Sequence, residues 1–390
     1  MTVLDLPGGT CRLAGQLDTS EVDGAVRPLR LPRAAWSQFP PGQRSLWTVF
    51  SQASGVRVEF RTDAQEVVLT ARLWRVDFGD LPGRVADLAV DIDGVPYATV
   101  PVESSGTVSV PLDGGEPIIS AAGKPCGIRV PGLPARSKVV TLWLPQSLVV
   151  DIVDVTADQP ITLADEVARP RWIHYGSSIS HCLEASSPQD VWPVAAAHAA
   201  DVELLSLGVA GQCMLDPFVA EAIADADVDV LTMKVGINMV GARSMDQRTF
   251  VPGVHGFLDT VRRAHPDIPI VVASSILWPG NEDRPGPSDM EILDDGTVRC
   301  FAYGDVADVA KGALTLADSR EHLRAAVEAR PAGERTFYLD GRELFGHADV
   351  DSYVLPDGLH PDTVLYREIG RRFADLVFGQ GGLVPRASLD

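Results

Sequence analysis

The chain has 390 residues, enough for two or three domains at a prior of about 150 residues each. Its 33 basic and 53 acidic residues give a formal charge of −20, which argues against nucleic acid or an anionic membrane surface as partner, since both need a basic footprint. With 45% apolar and 22% charged residues the composition is globular rather than disordered, and no apolar run approaches the roughly 18 residues of a membrane span.

The N-terminal residues show neither a basic n-region nor an apolar h-region, so no signal peptide is expected. The five cysteines, Cys11, Cys126, Cys182, Cys213 and Cys300, are scattered without a CxxC, which reads against a disulfide framework or a zinc site. A soluble, reducing, cytoplasmic setting is the expectation.

Residues 1 to about 160 read as β. The segments 56–60, 66–73 and 87–92 alternate with period two, and Asp93-Gly94 marks a type I′ hairpin turn into 95–102. Runs at 106–112, 137–144 and 147–155 continue the pattern, punctuated by Gly114-Gly115, Pro131-Gly132 and Pro134. No helix is evident in this half. Many short strands with such turns predict a jelly-roll-like sandwich over 1–160.

From about 168 to 380 strands and helices alternate. Strands are expected at 171–175, 202–207, 228–235, 268–274 and 335–339. Helices are expected at 189–200, with Pro193 in its first turns, and at 215–225, 247–264, 318–329 and 363–378. Five such units predict a parallel sheet flanked by helices, with its chemistry at the carboxyl ends of the strands. A helix-poor insert at 282–304 leaves that edge. Residues 381–390, which include Leu383-Val384-Pro385-Arg386, resemble a tag and are set aside from the fold.

The strand ends carry a consistent set of residues. The first runs into Gly176-Ser177-Ser178-Ile179, the second into Gly208-Val209-Ala210-Gly211, and the third into Gly236-Ile237-Asn238. Asp357-Gly358-Leu359-His360 stands before the last helix. Acyl transfer needs a hydroxyl nucleophile, a base, a carboxylate that orients the base, and donors for the oxyanion. Each occurs once here.

In these blocks, their order and their spacing, the sequence resembles the GDSL, or SGNH, hydrolase superfamily over about 170–378. A β domain ahead of the hydrolase domain is similar to two-domain members that include carbohydrate esterases. One position departs, because Ser177 stands where the pattern has aspartate. The resemblance implies a flavodoxin-like five-stranded sheet, Ser178 as nucleophile, His360 as general base and Asp357 as its orienting carboxylate. It also implies an oxyanion hole of the Ser178 and Gly211 N–H groups with the Asn238 amide, and no cofactor.

Other candidates are weaker. The remaining histidines show no ligand spacing, so no metal is expected. His181 and Trp278 are candidate substrate-binding residues, with Trp278 and part of the insert as pocket walls. Trp36, Trp47, Trp74 and Trp143 read as core rather than as sugar platforms. The expected function is removal of a small, acetyl-like acyl group from a sugar or other polar metabolite. An acyltransferase, or an inactive hydrolase domain carried by a carbohydrate-binding sandwich, is the alternative. The expected partner is a small acyl ester; the oligomeric state is not legible.

Overall fold

The computed structural model describes residues 2–389 except 44–45, 80, 82, 112–114 and 120–122. The chain divides into two compact units. One comprises Met1–Arg169 with Ala185–Val194 and Leu204–Ser206, and the other Pro170–Glu184, Ala195–Glu203 and Leu207–Asp390.

In the first unit the described residues form two sheets of seven strands each. The strand Glu66–Phe78 shows why: Val67, Leu69, Ala71 and Leu73 point inward and are fully buried, while intervening residues are half-exposed. Its core cluster draws Val58, Phe60, Val140 and Leu142 from one sheet and Val67, Leu69, Val150 and Ile152 from the other. At the Asp93-Gly94 turn φ is +52° and +78°, the left-handed pair that a type I′ turn needs, and Leu88–Ile92 pairs antiparallel with Val95–Val100.

Several expectations for this half need correction. A helix forms at Leu46–Ser51 and a 3-10 turn at Arg33–Gln38, where no helix was expected. The run Leu46-Trp47-Thr48-Val49-Phe50 has poor helix propensity; its helix is held by burial of five of its six residues. The sheets are mixed, since Glu66–Phe78 runs parallel to Gly106–Val110. Strands at Thr2–Leu6, Gly9–Ala14, Asp18–Val22 and Ala25–Leu29 were not resolved individually from the sequence. Residue 112 of the expected strand 106–112, and Gly114 of the expected Gly114-Gly115 turn, lie outside the described residues.

Apart from Leu204–Ser206, the middle of one edge strand, which group with the first unit, the second unit holds a five-stranded parallel sheet. Its spatial order is Glu203–Gly208, Arg171–Gly176, Val230–Val235, Ile270–Ser274, Thr336–Leu339, or 2-1-3-4-5 in chain order, the flavodoxin-like arrangement. Helices cover both faces. Trp172 stacks on Phe373 of the last helix at 5.4 Å, and Tyr175, on the opposite face, stacks on Phe257 at 5.3 Å.

The helix Gln247–Ala264 has the expected bounds, with Phe250, Val254, Phe257, Leu258 and Val261 buried along one stripe. Its capping box, Asp246 with Thr249, satisfies orphan N–H groups at its start. Pro193 is the second residue of the helix Trp192–Ala200, a position where its missing N–H costs no intrahelical bond. The helix Leu316–Glu328 begins earlier than expected because Thr315 and Asp318 form its capping box. The last helix is regular only over Thr363–Phe373 and continues as a π-turn to Phe378.

Two segments depart more strongly. The insert is a β-hairpin, Ser288–Ile292 against Val298–Ala302. In the tail, Leu383 and Val384 N–H groups donate to the Leu376 and Val377 carbonyls, and Val384 is buried, so this stretch packs with the fold. No helix among the described residues is long and apolar enough to cross a membrane.

Candidate active site

At the carboxyl edge of the parallel sheet, Gly176 hands the chain to the single turn Ser178–His181. Ser178 is its first residue, so its own N–H has no intrahelical acceptor to meet. Beneath this turn His174 Nε2 lies 2.8 Å from Ser180 Oγ and His174 Nδ1 lies 2.7 Å from Thr232 Oγ1. Burial, with help from nearby Lys234, holds the His174 pKa well below its ordinary value. A neutral imidazole therefore ties the turn to the sheet.

The sheet order brings distant residues to Ser178. His360 Nε2 is 2.8 Å from Ser178 Oγ, and His360 Nδ1 is 2.7 Å from Asp357 Oδ2. The Asp-x-x-His spacing works through the backbone. Asp357 Oδ1 accepts the Leu359 and His360 N–H groups at 2.9 and 2.7 Å, and Gly358 sits between them at φ +81°, where only glycine is unstrained. One carboxylate thus folds the turn with one oxygen and orients the imidazole with the other.

Burial alone would raise the Asp357 pKa, but the His360 ring and these two N–H donors hold it well below the carboxylate range. For His360, burial alone would lower the pKa. The Glu184 charge, the Asp357 hydrogen bond and contact with Cys300 outweigh it and lift the value well above 6.5.

Gly211 adopts φ +71° with open space around its Cα, so a backbone requirement rather than crowding calls for glycine. Asn238 follows Gly236, itself at φ +130°. The Asn238 Oδ1 accepts the Cys213 N–H at 3.0 Å, which leaves Nδ2 as the donor end of the amide. Ser178, Gly211, Asn238, Asp357 and His360 all retain solvent exposure. Such an arrangement can take a proton from a serine hydroxyl and offers N–H donors at the same sheet edge.

The two candidate substrate-binding residues require correction. His181 is fully buried, and its Nδ1 accepts the Ala210 N–H at 3.3 Å, so it braces the loop that carries Gly211. Trp278 is 2% exposed and packs among the buried hydrophobic residues. In the first unit Trp74 and Trp143 are buried, with their indole N–H groups on Asp151 and Asp91.

Two neighbours of His360 were not legible in the sequence. Glu184 Oε2 accepts the buried Tyr366 hydroxyl at 2.8 Å, and Cys300 arrives on the insert hairpin. Neither lies in a motif, and each meets His360 only through the tertiary fold. The five cysteines are free thiols.

Residues 170–279 match the model of the GDSL-like lipase/acylhydrolase family, as the sequence resemblance implies. No curated protein matches the chain. Among solved structures, the chain is similar to a salicylyl-acyltransferase, SsfX3, from a tetracycline biosynthetic pathway. The two are 27% identical, with 93% of this chain and 92% of that one covered, at a TM-score of 0.72. A GDSL-like lipase fold from Bacteroides ovatus is similar at 17% identity over 93% of each chain, TM-score 0.62. A family two carbohydrate esterase from Clostridium thermocellum, in complex with cellohexaose, shares the fold at 13% identity, covering 82% of this chain and 91% of that one, TM-score 0.54.

Proposed function

We propose that the chain is a serine-dependent carboxylic-ester hydrolase that removes a small acyl group from a sugar or other polar alcohol. The observation that carries this reading is the relay Ser178–His360–Asp357, with contacts of 2.8 and 2.7 Å. In it His360 Nε2 takes the Ser178 proton as Oγ attacks the acyl carbonyl. The Ser178 and Gly211 N–H groups and Asn238 Nδ2 stabilise the oxyanion, each donor contributing about 3–4 kcal/mol to lowering the barrier. The intermediate collapses, His360 returns the proton to the departing alcohol, and water then attacks the acyl-enzyme with His360 again as base.

A second ending, transfer of the acyl group to an alcohol or amine other than water, is favoured by the likeness to a salicylyl-acyltransferase. The two endings share the acyl-enzyme and differ in acceptor. For the first unit we infer a jelly-roll-like sandwich; its two sheets around one apolar cluster support this.

The test is an ester panel from acetyl to palmitoyl on wild type and Ser178→Ala, with products analysed in water and with added acceptors. Fluorophosphonate labelling of Ser178 reads the nucleophile directly. Absence of both labelling and turnover would leave the inactive-domain alternative.

A further inference from the structure

The first strand of the insert hairpin is mostly exposed, yet the second is held in place at two points. The Cys300 N–H donates to the Asp357 carbonyl at 2.7 Å, and the Ala302 N–H donates to Asn281 Oδ1 at 3.1 Å. Side chains alternate along a strand. Cys300 and Ala302 therefore face inward and are each 8% exposed, while Arg299 and Phe301 face out. This register brings a thiol to the Asp357–His360 pair. The Cys300 Sγ, one carboxylate oxygen of Asp357 and one imidazole nitrogen of His360 all lie within 4.8 Å of one another.

Thiolate, imidazole and carboxylate are the donors that zinc takes. Donors at roughly 2.0–2.3 Å from a tetrahedral ion stand roughly 3.3–3.8 Å apart, so side-chain rotations of about an ångström close the site. We propose that Cys300, Asp357 and His360 form a binding site for a thiophilic divalent cation of the zinc class, whose occupation switches off acyl transfer. The regulatory half of the proposal rests on the roles assigned above to His360 and Asp357.

On binding, Cys300 releases its proton to solvent, and an imidazolium at His360 releases one as well, so that the nitrogen taken by the ion carries a lone pair while the other keeps its proton. Sγ, the imidazole nitrogen and the carboxylate oxygen each donate a lone pair, and the fourth place remains for water. The ion and the serine proton then compete for the same groups. If the ion takes His360 Nε2, the imidazole cannot accept the Ser178 proton. If it takes Nδ1, the hydrogen bond to Asp357 is lost. Hard cations lack affinity for the sulfur donor and prefer all-oxygen sites.

The experiment titrates metal-stripped full-length protein with CdCl2, following the ultraviolet cadmium–thiolate band. In parallel, fluorophosphonate labelling of Ser178 is timed with and without ZnCl2. The expected result is one ion per chain, slowed labelling that EDTA restores, and no effect of MgCl2. In Cys300→Ser and Cys300→Ala, each confirmed folded by circular dichroism, the band should vanish. Zinc sensitivity, normalised to each variant's own metal-free rate, should weaken roughly tenfold or more.

A band that persists in folded Cys300→Ser, or no stoichiometric band in wild type, overturns the site. If neither variant folds, the site is decided in wild type by alkylation and peptide mass spectrometry: one equivalent of CdCl2 should protect Cys300, and protection of another cysteine instead overturns the site. A normal band with unchanged labelling rates overturns the switch alone. A normal band with no Ser178 labelling at all leaves the cation site standing and refutes the active-site reading instead.

Discussion

The Tyr366 hydroxyl donates to Glu184 Oε2 at 2.8 Å, fixing a second carboxylate whose charge raises the His360 pKa. In the proposed mechanism the base is the neutral imidazole, populated only above its pKa. A value lifted above 6.5 therefore moves the rising limb of activity toward alkaline pH.

Removing the Glu184 charge should reverse part of this shift. In Glu184→Gln the rising limb of kcat/KM should move to lower pH, with activity retained on the plateau. A pH–rate profile that coincides with wild type would show that the Glu184 charge does not govern His360.

Ser178→Ala should lower kcat by about three orders of magnitude or more, leaving what the oxyanion donors and binding provide. Ser178 sits half-exposed at the start of a turn, so thermal unfolding should barely change. Undiminished ester hydrolysis by the folded variant would refute the assignment.

Asp357 performs two tasks, and two variants separate them. Asp357→Asn keeps an amide oxygen for the Leu359 and His360 N–H groups but no longer fixes the imidazole tautomer. Turnover should fall about 10³–10⁴-fold with Tm nearly unchanged. Asp357→Ala should lose turnover and lower Tm as well, since the turn loses its acceptor. Equal Tm values for the two variants would show that the turn does not need the carboxylate oxygen.

Asn238→Ala should lower kcat about 10²–10³-fold with little change in KM, the signature of a donor that acts on the oxyanion. A change confined to KM would place Asn238 in ground-state binding.

Trp278 is buried, so Trp278→Ala should destabilise the second unit by about 3–5 kcal/mol and leave the acyl-chain ranking unchanged. Chemical denaturation and the ester panel check the two halves of this expectation. A stable variant with altered ranking would return Trp278 to the pocket wall.

The sequence by itself determined the parts whose physics is local. Alternation in Glu66–Phe78, the stripe of Gln247–Ala264 and the Asp93-Gly94 turn each record burial or dihedral demands within a few residues. The chain order of Ser178, Gly211, Asn238 and Asp357-Gly358-Leu359-His360 was equally readable, because each follows or precedes a recognisable element. Only the tertiary structure decided what meets His360. Ser178 and His360 are 182 positions apart, as are Glu184 and Tyr366, and the 2-1-3-4-5 strand order closes those distances. The strand Ser288–Ile292 of the hairpin is largely exposed; its partner buries Cys300 and Ala302 in alternation, but the approach of Cys300 to Asp357 depends on a backbone hydrogen bond that no side-chain pattern encodes. Periodicity reports which face of an element is buried; it holds no record of the distant residue that face will touch.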